Sequence, residues 1–322
     1  MNFNHFLKMN LTAWPQPARL LLLVVLGLGL ALPAGARAAD EQPFASPDAA
    51  DNALVAAAAS NDTNVLRVIF GAEGQALVSP DAVEAAEGYR LFVQHLAEKT
   101  QLVTNSDALV TLEIGTDGWP FPIPLVRQAD GQWAFDTAAG RQEILARRIG
   151  RDELGALAVC RAYVEAQREY AGQDRLGDGV LAYAQFLKST PGTHDGLFWP
   201  TNTGAELSPL GPLVAQARVD GYRRTATMLN DGLAPYHGYY FKILTRQGRH
   251  APGGKYDYLI NDRMIGGFAL VAWPAEWGNT GMMTFIVNQQ GRVYQKNLGA
   301  KTAKLAKGMT TYDPDDTWAP AE

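Results

Sequence analysis

The chain has 322 residues, 47% of them hydrophobic and 19% charged, with a formal net charge of -5 at pH 7 and one cysteine. An acidic chain of this kind is not expected to bind nucleic acid, and a lone thiol, Cys160, excludes an internal disulfide, so burial must supply the stability. The length allows two domains.

Lys8 and Arg19 precede an apolar run from Leu20 to Leu32, followed by Pro33 and the small-residue site Ala36-Arg37-Ala38. This is the pattern of a secretory signal peptide over residues 1–38, with cleavage expected after Ala38 or Ala39. The run is too short and too Gly-rich for a membrane span, and no cysteine follows it to take a lipid, so no stable span is expected after cleavage. Removing residues 1–38 deletes Lys8, Arg19 and Arg37 and no acid, which leaves the mature part more acidic than the whole.

Residues 39–140 read as helices first and a small sheet second. Ser46 and Pro47 open an alanine-rich helix to Ser60, a short one follows over 64–70, and Ser79-Pro80-Asp81 starts a third that runs to Lys99. In that third helix Tyr89, Phe92, Val93 and Leu96 share one stripe. Leu109 to Ile114 alternates as a strand, the prolines from 120 to 124 demand an extended edge or turn, and Asp130-Gly131 joins 125–126 to 133–135 as a hairpin. The order resembles the cystatin-like cone of nuclear-transport-factor-type domains, as an analogy of pattern.

Residues 141–234 form a helical, Pro/Gly-rich connecting region. The spacing predicts helix over 141–171, divided at Gly150, with Leu154, Leu157, Ala158, Cys160 and Val164 on its buried side. A loop at 174–179 and a helix over 180–187 follow. Ser189 to Pro212 reads as a long ordered loop or interdomain connection, and a short helix is entered through Pro212.

Residues 235–322 read as an antiparallel meander of about five strands, at 239–244, 256–260, 268–273, 283–287 and 293–295. Gly291 supplies the positive φ of one hairpin loop, and Pro274 ends a strand. Phe268 to Val271 is apolar without alternation and predicts a central strand covered on both faces, whereas Val293 to Lys296 alternates and predicts an exposed edge. The fold class is α+β.

The blocks WPFPIPLV at 119–126, RRIGRDEL at 147–154, STPGTHDGLFWP at 189–200, SPLGPLV at 208–214, PYHGYYFKILTRQG at 235–248 and MIGGFALVAWPAEWGNTGMMTF at 264–285 resemble the signatures of domain-of-unknown-function family 2950, secreted bacterial proteins. The resemblance covers nearly all of the mature chain. It implies export from a Gram-negative cell, to the periplasm or beyond, and carries no activity with it. A local likeness lies within it: Gly238 to Phe241, Ala272-Trp273-Pro274, Gly281, Phe285 and Gly291 are similar to the C-terminal sheet of pilin-like and pseudopilin proteins. The prepilin spine is absent, so that likeness implies a sheet topology alone.

Chemistry-bearing residues are few. His194-Asp195 sits in a Gly-bounded loop, His237 precedes the first C-terminal strand and Glu276 follows Pro274. A histidine beside a carboxylate is a general-base pattern, and equally one of ordinary turn residues. No metal spacing, nucleophile elbow or phosphate loop occurs, Asp313, Asp315 and Asp316 fit no calcium template, and no cofactor is expected. Trp119, Phe121, Phe198, Trp199, Tyr236, Tyr239, Trp273 and Trp277 lie in or beside loops at sheet ends. Such rings either stack on sugars or a partner's side chains, or pack as buried glue between domains. Two functions follow: a non-catalytic envelope module binding a protein or an envelope glycan through these loops, or a hydrolase using His194 or His237 with Asp195 or Glu276.

Overall fold

A computed structural model describes residues 41–79, 82–200, 206–219 and 235–321, so the signal peptide expected over residues 1–38 lies outside the described residues. Ser46 caps α1 (Pro47–Ala59) by accepting from the Ala49 N–H, and Asp62 caps α2 (Thr63–Phe70) through the N–H groups of Asn64 and Val65. α3 (Ala82–Glu98) turns through Lys99 into β1 (Thr100–Ser106). That strand, absent from the sequence reading, pairs antiparallel with β2 (Leu109–Ile114).

β2 also pairs with β3 (Trp119–Pro120) and β4 (Leu125–Arg127), and β4 pairs with β5 (Trp133–Phe135) across the expected Asp130-Gly131 turn. The three helices cover this sheet. Their shared core includes Leu54, Ile69, Leu96, Leu112, Ile114, Phe121 and Phe135. Phe121 stacks on Phe92 with ring centroids 5.5 Å apart, so the Pro-rich stretch turns inward to fill the sheet's open side.

α4 (Thr137–Tyr170) is one helix of 34 residues, about 50 Å long at 1.5 Å per residue. The expected division at Gly150 does not occur. A helical glycine costs about 1 kcal/mol relative to alanine, and the cores at both ends of α4 offset that. Leu154, expected on the buried side, is 58% exposed, because the stripe that packs runs through Ala156, Leu157, Cys160, Tyr163, Val164, Gln167 and Tyr170.

The helix expected over 180–187 is absent. The Ala184 N–H donates to Gln167 Oε1 at 2.9 Å, Gln167 Nε2 donates back to Ala184 O at 2.9 Å, and the Tyr183 N–H donates to Met264 O. With its backbone groups spent on tertiary partners the segment runs extended into β6 (Phe186–Lys188), which pairs in parallel with β7 (Gly196–Phe198). α5 (Gly211–Val219) carries Pro212 in its first turn.

The C-terminal sheet is antiparallel throughout. β8 (Tyr239–Leu244) forms one edge. Small pieces follow at β9 (Arg246–Gln247), β10 (Tyr256–Asp257), β11 (Leu259–Ile260) and β12 (Arg263–Met264), so the run expected at 256–260 is two fragments around the buried Tyr258. β13 (Ala269–Pro274) lies between β8 and β14 (Thr284–Asn288), with β15 (Tyr294–Lys296) beyond β14. All six residues of β13 are buried, as its unbroken apolar run requires, and α4 and α6 (Thr302–Gly308) both pack on it. β15 is not the edge: β16 (Thr311–Tyr312) joins β9, and β17 (Ala319–Pro320) covers β15, with proline at the outer position a ladder tolerates.

At Gly140 a β-carbon would lie 2.9 Å from Ile123 Cβ and 3.0 Å from Ile123 Cα, so this glycine lets α4 lie against the Pro-rich stretch. Gly140→Ala is expected to destabilise by about 1–3 kcal/mol through overpacking, although helix propensity alone would stabilise. Urea unfolding of the variant reads the sign directly.

Candidate functional site

Three pieces of chain meet on the middle of α4. The first is the turn Tyr236-His237-Gly238-Tyr239, in which Tyr236 and Tyr239 exchange backbone hydrogen bonds at 2.8 and 3.1 Å while His237 and Gly238 have φ of 44° and 70°. Two consecutive positive φ values make this a tight primed hairpin turn, a conformation that suits glycine and is unusual for histidine. No β-carbon fits at Gly238: it would stand 2.7 Å from Asp152 Oδ2 and 2.8 Å from Thr280 Cβ.

The second piece is the loop 275–281. Thr280 Oγ1 donates to Gly238 O at 2.9 Å, the Ala275 N–H donates to the same oxygen at 2.8 Å, and the Glu276 N–H donates to Thr280 Oγ1 at 3.1 Å. Glu153 on α4 anchors the loop's far end, its Oε1 accepting the N–H groups of Met282 and Met283 at 2.8 and 3.0 Å. The third piece is the 3-10 segment Ala72–Leu77, reached by Arg148 Nη2, which donates to Leu77 O at 3.2 Å while Nη1 donates to Asn279 Oδ1 at 2.8 Å.

Beside this junction lies an open cleft of about 240 Å³ lined by Arg141, Gln142, Leu145, Arg148 and Asn279. The four α4 residues fall on one face because 141, 145 and 148 are one and two turns apart. Arg148 is only 6% exposed, and Asn279 is fixed from both sides, since its Nδ2 donates to Glu276 Oε2 at 2.7 Å. Arg141 Nη1 forms an ion pair with Glu73 Oε2 at 2.8 Å.

Of the residues singled out in the sequence, His237, Glu276 and Trp277 come to this junction, and His194 and Asp195 do not. The His237 ring packs on Tyr236 at 4.2 Å beside Gly155, whereas His194 stacks on Trp199 at 4.2 Å near Tyr170. Gly155 and Tyr170 are about 22 Å apart along α4, so the histidines share no site. Partial desolvation pushes the Asp195 carboxyl up, but hydrogen bonds from Thr193 and Thr190 outweigh it and hold it below the usual carboxylate range. That carboxylate fastens its own loop. The Glu276 carboxylate accepts from Asn279 Nδ2.

The aromatic set is divided between two cores. Phe121 is buried in the N-terminal core and Trp119 lies half-buried beneath the Arg147 guanidinium, 4.8 Å from its ring. Phe198, Trp199, Tyr236, Tyr239 and Trp273 are 0–6% exposed in the C-terminal core. Their apolar area is worth more inside than at a loop surface, so they form no shared face. Trp277 alone is exposed, at 38%, its indole N–H donating to Asn297 Oδ1 at 2.9 Å. Arg141, Gln142, Leu145, Arg148 and Asn279 went unnoticed in the sequence. The arginines seven residues apart around Leu145 are the signal that marks them once α4 is continuous.

Among the described residues no three His, Cys, Asp or Glu side chains gather to hold a metal ion. No described helix is long and apolar enough to cross a membrane. Burial pushes the Cys160 thiol up to about 12. It is therefore expected to stay unreactive towards a chromogenic disulfide reagent at pH 8 in the folded chain and to react fully in denaturant. Gly238→Ala is expected to cost on the order of 1–3 kcal/mol, seen as a lower melting temperature, whereas His237→Asn keeps the turn.

No curated protein and no solved structure matches the chain, so neither the cystatin-like nor the pilin-like likeness gains a relative. The family model described as "Protein of unknown function (DUF2950)" matches residues 41–321, and the chain belongs to that family.

Proposed function

We propose that this protein is exported to the cell envelope and there binds an envelope glycan in the cleft beside α4, without chemistry of its own. One observation carries the reading: the open cavity is lined by two guanidinium groups, two carboxamides and one leucine, a mixture suited to holding a polar ligand and short of any base or nucleophile. The groups a hydrolase would use serve structure elsewhere. Asp195 fastens a loop, Glu276 holds Asn279, and the two histidines lie apart, one beside the middle of α4 and the other near its C-terminal end. The signal-peptide pattern of residues 1–38 supports the address in the periplasm or outside the cell.

Co-sedimentation of the mature chain, starting at Ala39, with purified cell-wall sacculi tests this. Binding is expected in the wild type, with Arg141→Gln weakening it about tenfold, as befits loss of charge-assisted hydrogen bonds. Retention only by an envelope protein would replace the glycan with a protein partner. Release of soluble fragments from the sacculi, lost in His194→Ala or His237→Ala, would make the protein a hydrolase.

A further inference from the structure

We propose that the outward face of α6 docks on a membrane surface that displays anionic phospholipid head groups. The mature chain is acidic, yet residues 277–312 hold Arg292, Lys296, Lys301, Lys304 and Lys307 and not one Asp or Glu. The fold gathers the last three of these on one short helix. α6 packs on β13 through Thr302 and Ala306, which are 1% and 0% exposed, and Lys242 Nζ pins its C-terminal end by donating to Lys307 O at 2.6 Å. At about 100° per residue, the direction away from Thr302 and Ala306 is that of Lys304, with Lys301 and Lys307 about 60° to either side. All three lysines are exposed, and among the described residues none of their ammonium groups makes an ion pair. Lys296 is engaged within the fold, donating to Thr317 Oγ1 and lying 5.7 Å from the Trp318 ring.

Charge complementarity selects an anionic partner, and the apolar groups beside the lysines select a lipid surface. Leu305, 48% exposed, projects from the same outer half of the helix as Lys301 and Lys304. Trp277, 38% exposed, is held by Asn297 Oδ1, which also accepts the Gly299 N–H at 2.8 Å where the chain enters α6. Lysines that keep their charge in water while their stems lie along apolar groups, with a leucine and an indole beside them, suit the boundary between head groups and acyl chains. A dissolved polyanion would meet the same lysines but gives Leu305 and Trp277 nothing to bury against. The acidic balance of the rest of the chain is repelled by an anionic surface, so the long-range field turns this one face towards it.

The test is co-sedimentation of the mature chain with vesicles of phosphatidylglycerol and phosphatidylethanolamine, against vesicles of phosphatidylcholine alone. The anionic vesicles are expected to bind on the order of a hundredfold tighter, with the difference shrinking as salt is added. Lys301→Gln, Lys304→Gln and Lys307→Gln together should remove that preference, at about fivefold per lysine, while arginine at the same three positions should keep it. Leu305→Ser should weaken binding severalfold with the charge unchanged, and Lys99→Gln, in the N-terminal unit of the fold, should leave it as it is. The substituted side chains are exposed, and unchanged melting curves verify that each variant folds. Equal binding to both kinds of vesicle, or a triple glutamine variant indistinguishable from wild type, would overturn the proposal. If soluble polyglutamate binds as tightly as the anionic vesicles and Leu305→Ser changes nothing, the partner is an acidic polymer and the membrane assignment falls. These variants keep Arg141 and Arg148, so the sacculus experiment judges the cleft separately.

Discussion

Everything in this molecule hangs on α4, because a single helix is a member of both hydrophobic cores. Near its N-terminus Gly140 lies on Ile123 and Ile144 packs against the N-terminal core, while Ala156 to Tyr170 form one wall of the C-terminal core. A helix is the stiffest way to hold two packed sheets at a fixed separation, since its backbone hydrogen bonds are internal and its length is set by residue count. Arg147 adds a tie from α4 to the N-terminal sheet, covering Trp119 and donating to Pro120 O at 3.1 Å. The middle of α4, between the two cores, is the stretch left to bind other parts of the chain.

That middle stretch is polar where it could have been apolar. Arg148, Asp152 and Glu153 are all used by segments that arrive from far away in sequence: Arg148 by Leu77 and Asn279, Glu153 by the backbone of Met282 and Met283, and Asp152 by the close approach of Gly238. Burying such groups is costly unless each finds partners, and satisfied polar networks specify one arrangement where greasy contacts would accept several. The left-handed backbone at His237 belongs to the same economy of space, since the tight turn lets a glycine sit directly against a buried carboxylate. The cleft is the remainder of this junction, a place where α4 presents two arginines and, among the described residues, no third layer closes over it.

The distribution of aromatic residues explains why the more obvious functional reading does not hold. Rings beside polar loops look like a binding surface in one dimension. In three, a chain with a single cysteine has no cross-link to spare its cores, and its largest side chains supply the burial that stability needs. Trp273, Tyr239 and Phe285 are inside for that reason, and Trp277 is outside because its hydrogen bond to Asn297 leaves the ring at the rim.

Local chemistry was legible in the residues themselves. The caps Ser46 and Pro47, the alternation of Leu109 to Ile114, the Asp130-Gly131 and Gly291 turns, the buried run before Pro274 and the α+β class all follow from interactions within a few residues, and all are present. The family, too, could be read from the blocks. Tertiary structure decided the rest. It kept α4 continuous through Gly150, because packing at both ends outweighs one glycine; it drew residues 180–187 into an extended path, because Gln167 and Met264 claim their backbone groups; and it moved β15 inward by adding β17. The cleft belongs to this second kind. Its arginines come from one helix and Asn279 from a loop 131 residues beyond Arg148, so no local pattern joins them. Local propensity governs which elements form, and only the competition among distant partners for buried backbone and charge decides where they end and what they hold between them.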